Sequence, residues 1–430
     1  MTAEIGILNK SAVALAADSA VTIRTAEGYK IYNTANKLFS LSKYHPVGIM
    51  IYGNSELMGI PWETIIKSYR CEANEKSFEH ISNYAEDFIN NLEHNHYLFD
   101  EGVQKSYFNN TVFNYLSDMK RKVEYLLKTN DDLSVVLNAV ISSEYEELIE
   151  AEYLPFYPEN YKHIIITKYA EELKKIITNL FNNIDMNEDY IKAIINLCGE
   201  IFIKNKFSSN YSGVVIAGFG SKDIFPSLIN YKMEGILNNK LKCIQVQRED
   251  ITFSNPGSII PFAQDDMVHN FMEGIDERLE TQINRVIIRE FTNLYNEMSS
   301  LSNNIIINNE SKNNYLMSFR DILEKKLTKI TEDITNYKFK NFVQPVMEIV
   351  TVLPKDEMAA MAESLVNLTS LKRKVSTSSE TVGGPIDVAI ISKGDGFIWI
   401  KRKHYFNPEF NHSFFDNYYK YNSSTNLGER

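Results

Sequence analysis

Strand-forming segments open, interrupt and close this chain, and that order limits what it can fold into. Four short apolar runs lie within the first 53 residues: 5–8, 12–17, 37–41 and 47–52. Each is bounded by a turn signal such as Asn9-Lys10 or His45-Pro46, which predicts β-strands. If Asn9-Lys10 is a two-residue turn with Asn at positive φ, Thr2 falls opposite Ala17 and Asp18 lies beside it. Strand signal returns at 213–219, 227–231 and 241–246, and again at 386–392 and 397–401 across the turn at Lys393-Gly-Asp-Gly396.

Between these blocks the period changes. Over 72–210 glycine and proline become sparse, and Leu, Ile, Phe and Tyr recur at helical spacing, as in 169–177. This predicts an all-helical insertion over 72–210. Residues 265–350 also read as helical, with a polar loop at 299–314 inside a helical extension of about 276–350. Pro354 opens a helix over 356–372, and the aromatic segment 404–430 reads as a docking arm. Strands at both ends with helices between them predict an α+β fold. Residues 1–71 and 211–403 would form its core.

Composition narrows the function. A net charge of -11 over 430 residues argues against nucleic acid or an anionic membrane as partner. No apolar run is long enough to span a bilayer. The small residues at 11–17 lack the basic flank of a signal peptide, so a cytoplasmic protein is expected, intact except for Met1. Cys71, Cys198 and Cys243 are three in number with no CxxC spacing, which disfavours a disulfide framework or a cysteine-rich zinc site. His94 and His96 read as a solvated pair, and Gly218-Phe-Gly-Ser-Lys222 lacks phosphate-loop spacing. No metal or organic cofactor is implied.

Thr2 is the first candidate for chemistry. Removal of Met1 would leave a hydroxyl nucleophile and a free α-amine on one residue, and such an amine titrates at about 7.7–8.0, near the value a general base needs. Threonine at position 2 is common, so position alone says little. Lys37 shares a strand face with Phe39 and Leu41, which suits a lysine paired with Asp18 or one guarding a sheet edge. Gly53 ends its strand, where its N–H could meet an oxyanion or where only a sharp turn is needed.

The segments Thr2-Ala-Glu-Ile-Gly-Ile7, Val13-Ala-Leu-Ala-Ala-Asp-Ser19, Thr22, Asn36-Lys37-Leu-Phe39 and Ile51-Tyr-Gly53 resemble the opening of proteasome β-type subunits and the bacterial HslV peptidase, which are N-terminal-nucleophile (Ntn) hydrolases. The similarity continues through 213–275 and 353–403, including Val382-Gly-Gly-Pro-Ile-Asp387. The resemblance implies a four-layer αββα sandwich and a threonine peptidase or amidase. It assigns Thr2 as nucleophile, Asp18 and Lys37 as its charge pair, and Gly53 as oxyanion donor. Thr22 would pair with bound peptide, and Val21, Ala35, Phe39, Ile51 and Ser55 would lie near an apolar specificity pocket. A peptide or protein substrate, a homo-oligomer and an ATP-dependent unfoldase partner are the implied associations, and the apolar residues at helical spacing over 72–210 need a surface to pack on, so this segment is expected to help form or cap the assembly. Two hydroxyl positions of the family are missing: Pro261-Phe-Ala-Gln264 has no serine, and Val382 stands before the glycine pair, with Ser379 and Thr381 nearby. A catalytically silent scaffold or ring subunit, or a stand-alone small-amide amidase, are the alternatives.

Overall fold

The computed structural model describes residues 2–25, 28–128, 132–155, 157–184, 186–303, 309–376 and 382–420. The N-terminal strands are β1 (Ala3–Asn9), β2 (Val13–Ala17), the ribbon β3 (Val21–Thr25) and β4 (Gly28–Tyr32), β5 (Leu38–Ser40), β6 (Val47–Gly53) and the minimal hairpin β7 (Glu56–Leu57) and β8 (Ile60–Pro61). The middle of the chain adds β9 (Ser212–Gly218), β10 (Ser227–Leu237), β11 (Lys240–Asp250) and β12 (Gly257–Ala263), and the chain closes with β13 (Asp387–Ser392) and β14 (Gly396–Lys401). They form two five-stranded antiparallel sheets, β12-β1-β2-β13-β14 and β11-β10-β9-β6-β5. Mixed helices and antiparallel sheets match the α+β expectation.

The alternation of each strand decides where its side chains go. Ala3, Ile5 and Ile7 of β1 join Ala14, Ala16, Val388 and Ile390 on one face of the first sheet. That face packs on Val268 of α8 (Asp266–Glu273), Val350 of α11 (Gln344–Val350), and Met358, Ala362 and Val366 of α12 (Lys355–Val375). The opposite face, with Leu8, Leu15 and Ile391, meets Leu38, Met50, Val215 and Leu228 of the second sheet. The far face of the second sheet, with Ile49, Ile51, Val214 and Ile216, packs on α1 (Trp62–Ala73) and α2 (Ile81–His94). Two sheets therefore lie face to face, each backed by helices.

Two expectations change, and one strand is unexpected. The expected insertion over 72–210 is divided, because α2 buries Tyr84, Ala85 and Phe88 in the same cluster as the sheet. The separate helical core is built by α3 (Glu101–Leu127), α4 (Leu133–Glu150), α5 (Tyr161–Lys168), α6 (Ala170–Leu180) and α7 (Glu188–Ile203), around Phe108, Leu116, Tyr169 and Phe202. The expected loop at 299–314 is mostly helix, since α9 (Glu277–Asn303) and α10 (Asn309–Lys338) enter it from both sides, and 304–308 lie outside the described residues. Strand β12 was not legible. Pro261 interrupts its pattern, yet proline is tolerated at a sheet edge, and β12 is an edge strand that pairs along all of β1. In the expected docking arm, His404, Phe406, Phe414 and Phe415 cluster, with ring centroids 4.9–6.4 Å apart. The arm's last residues, 421–430, lie outside the described residues. No helix among the described residues is long and apolar enough to cross a membrane.

A buried clamp joins the helical core to the second sheet. Lys242 Nζ pairs with Glu234 at 2.6 Å and donates to the carbonyls of Ile201 and Lys206 at 2.9 and 2.7 Å. The Ser208 N–H donates to the same glutamate at 3.1 Å. Burial holds the Lys242 ammonium below its usual range. Removing one partner of such a pair strands the other charge in the interior, so Lys242→Met should cost about 3–5 kcal/mol in urea unfolding. A loss below about 1 kcal/mol would show that the clamp does not fasten the helices.

Candidate active site

The first hairpin positions the site, with a register two residues away from the one expected. Glu4, not Thr2, lies opposite Ala17, and Leu8 opposite Val13. Asn9 and Ala12 close the turn by a 3.1 Å backbone bond. Instead of adopting positive φ, Asn9 uses its side chain: Oδ1 accepts from the N–H groups of Ser11 and Ala12, and Nδ2 donates to the carbonyls of Val350 and Leu353. Because the shift is an even number, every side chain keeps the face expected for it.

Asp18 follows the end of β2 and is buried at 1 % exposure. Its N–H donates to the Ala3 carbonyl at 3.1 Å. Oδ1 accepts from the Ala3 N–H at 3.2 Å and from Lys37 Nζ at 2.5 Å, and Oδ2 accepts from Gly383 N–H at 2.9 Å and Ala20 N–H at 3.3 Å. Lys37 lies just before β5 and is also buried, which is tolerable because its partner is fully bonded. The expected pairing of Asp18 with Lys37 is present, and the pair is tied to the residue after Thr2.

Thr2 itself is buried at 3 % exposure, and its hydroxyl has no partner at full hydrogen-bond geometry. Gly53 closes β6 at φ 77°, and a Cβ there would stand 2.7 Å from the Tyr211 carbonyl, so only glycine fits. Gly383, whose sequence signal was only a glycine pair before a strand, fastens Asp18. Its neighbour Gly384 has φ 79° and would clash with Asn33 if it carried a Cβ. Ser379 and Thr381 lie outside the described residues, while Val382 is buried and offers no hydroxyl. Ala263, opposite Ala3, adopts φ 64°, a strained conformation for alanine where the resemblance places a small-residue segment.

The substrate-side residues are scattered. Val21 and Ala35 are half-buried, and Ser55 is exposed. Phe39 and Ile51 are packed with Trp62 and Ile65 in the helix-side core. The backbone of Thr22 pairs with Ile31, and β3 pairs with β4 alone among the described residues, leaving its other edge open.

Two groups at the site were missed. Glu4 is fully buried with Oε1 3.7 Å from Lys37 Nζ. A glutamate inside an otherwise apolar strand is itself a sequence signal. Burial pushes the Glu4 carboxyl up to about 8; the Asp18 charge adds to the rise, and Lys37 and the Thr2 hydroxyl oppose it. Lys403, just past β14, donates through its backbone N–H to Asp387 at 2.8 Å and through Nζ to the other oxygen. Burial, reinforced by the nearby Lys37 charge, holds Lys403 below its usual range. Among the described residues no cluster of His, Cys, Asp and Glu could hold a metal ion. No family model and no curated protein matches the chain.

The raised Glu4 carboxyl fixes a sign for stability. Between its ordinary range and about pH 8 the folded protein holds a proton that the unfolded chain has released, so stability falls as pH rises through that window. Glu4→Gln, which mimics the protonated form, should melt like wild type near pH 4. It should gain on wild type toward pH 8, by up to about 1.4 kcal/mol per pH unit crossed. An equal wild-type and variant pH dependence of Tm would contradict the buried, raised carboxyl.

Proposed function

We propose that this protein is an N-terminal-threonine peptidase or amidase with the four-layer sandwich of the Ntn hydrolases, in which Thr2 attacks an amide carbonyl once Met1 has been removed. The observation that carries the reading is the buried Lys37–Asp18 pair, bonded at 2.5 Å and anchored to the Ala3 N–H beside Thr2. A lysine held there brings positive charge to the end of β1 and lowers the cost of forming an alkoxide. In the reaction Thr2 Oγ bonds to the carbonyl carbon, and its proton passes through a base to the leaving nitrogen. Water then hydrolyses the resulting ester. The N–H at Gly53, on a backbone free to take positive φ, is the proposed donor to the tetrahedral oxyanion. The open edge of β3 at Thr22 suits an extended peptide added as a strand.

A catalytically silent scaffold is the second reading. It is favoured by the lack of a serine in Pro261-Phe-Ala-Gln264 and by Val382, where the resemblance has hydroxyl residues. Exposed apolar residues along the α9–α10 pair, Leu279, Ile288, Leu294, Met317 and Ile322 among them, support assembly as a homo-oligomer, and an unfoldase would be a partner of such an assembly.

Intact-mass analysis separates the two readings. The mature protein should begin at Thr2 and gain one adduct from a peptide epoxyketone, and Thr2→Ala should gain none. Lys37→Ala should lower the rate of adduct formation by at least about a hundredfold while the protein stays folded, in line with loss of a group that supports the nucleophile. Met1 retained on reactive protein, or an adduct on Thr2→Ala, would refute the threonine mechanism.

A further inference from the structure

We propose that the Glu4 carboxylate is the base that takes the Thr2 hydroxyl proton during attack, an inference that rests on the Thr2 reading above. Thr2, Glu4, Gly6 and Leu8 alternate onto the face of β1 that looks between the sheets. Leu8 lies in the inter-sheet core, and a Cβ on Gly6 would stand 2.9 Å from Leu228 of the second sheet. Glu4 therefore sits one position deeper than Thr2 on the same face, enclosed by Ala17 on one side and Phe262 on the other. The Thr2 hydroxyl is close enough to favour the charged form of Glu4.

The nearby carboxylates differ in what they have left to offer. Both oxygens of Asp18 are committed, to Lys37 Nζ and the Ala3 N–H on one side and to the Ala20 and Gly383 N–H groups on the other. Asp387 is bonded through both oxygens to Lys403. Both oxygens of Glu4 are buried without a partner at full hydrogen-bond geometry, and so is Thr2 Oγ1. A glutamate in this position is costly for the fold, and an apolar side chain would fill a structural role better. Hydrogen bonds of catalytic groups are often long before substrate arrives, so an open acceptor beside an open hydroxyl is the arrangement a general base needs.

Among the described residues, the titratable groups facing Glu4 are Lys37, Asp18 and Tyr52, whose hydroxyl is paired with Asn230. Lys403 and Asp387 stand behind the Lys37–Asp18 pair. Burial outweighs the opposing Lys37 charge and leaves the Glu4 carboxyl near 8, where a base still holds a proton strongly yet is substantially ionised at mildly alkaline pH.

A β-lactone tests the step with no co-reactant. Thr2 Oγ bonds to the lactone carbonyl carbon and the ring C–O bond breaks. The hydroxyl proton moves to Glu4 and then to the released alkoxide. The acylation rate, read by intact mass and mapped to Thr2 by peptide mass, is measured from pH 6 to 9 on processed wild type and Glu4→Gln. The expected result is a rate that rises through about pH 8 in wild type and is lower by about 10²–10⁴-fold in Glu4→Gln, with that rising limb gone. Acylation of Glu4→Gln within about twofold of wild type and with the same limb assigns the base to the α-amine and overturns the proposal. No adduct on wild type at any pH overturns the Thr2 reading and this inference together. Carboxyl ¹³C shifts of glutamate-labelled wild type check the inference without a variant. One carboxyl should titrate near 8 and shift when Thr2 is acylated, and its absence overturns the assignment.

Discussion

The site depends on one buried ion pair and on the backbone groups that make it tolerable. An ammonium and a carboxylate removed from water are stable together only if the remaining hydrogen-bonding capacity is met. Asp18 meets it with three backbone N–H groups from three places in the chain: Ala3 on the first strand, Ala20 just beyond the second, and Gly383 almost the whole chain away. The pair with Lys37 thus fastens β1, β2, the approach to β5 and the approach to β13 at a single point. Loss of any of these segments would leave a charge in the interior.

The sheets serve that point. Antiparallel pairing on both sides of β1, to β12 and to β2, fixes its register and its two faces. Ala3, Ile5 and Ile7 of β1 go to the helix side, and Thr2 and Glu4 share the face of Leu8 toward the second sheet, which brings Tyr52 near Glu4. A two-residue slip in the first hairpin does not disturb this division, because strand faces repeat every two residues. A one-residue slip would have turned Glu4 into the layer of Val268 and Met358.

Electrostatically the site is crowded. Two lysines and three carboxylates lie within one neighbourhood, and their burial differs in effect. Asp18 is so well bonded that it can remain a structural anchor, whereas Glu4 has a lysine at 3.7 Å and no complete hydrogen bond, so burial dominates and raises its carboxyl to about 8. The same physics holds Lys403 down. Such opposed shifts arise wherever burial competes with close charges, in proton-transfer sites and structural ion pairs alike.

Local sequence determined a good deal. Apolar runs bounded by Asn, Pro and Gly placed most of the strands. The sparse glycine and proline of the middle segment marked its helices. Turn chemistry and side-chain period, which act over a few residues, brought Thr2 and Asp18 to one hairpin, and the resemblance of the opening segments added Lys37 and Gly53 to make a site. The sequence could not reveal that an edge strand containing Pro261 completes β1, or that α2 belongs to the sheet while α3–α7 hold a core of their own. Nor could it show that Phe39 and Ile51 are packed under helices, that Gly383 caps Asp18 or that Lys403 reaches Asp387. Each of those depends on which distant surfaces meet. The clearest case is Glu4: as a letter in a strand it is an anomaly, and only the tertiary structure, by removing water and placing Lys37 just beyond bonding reach, makes it a group with a proton to exchange.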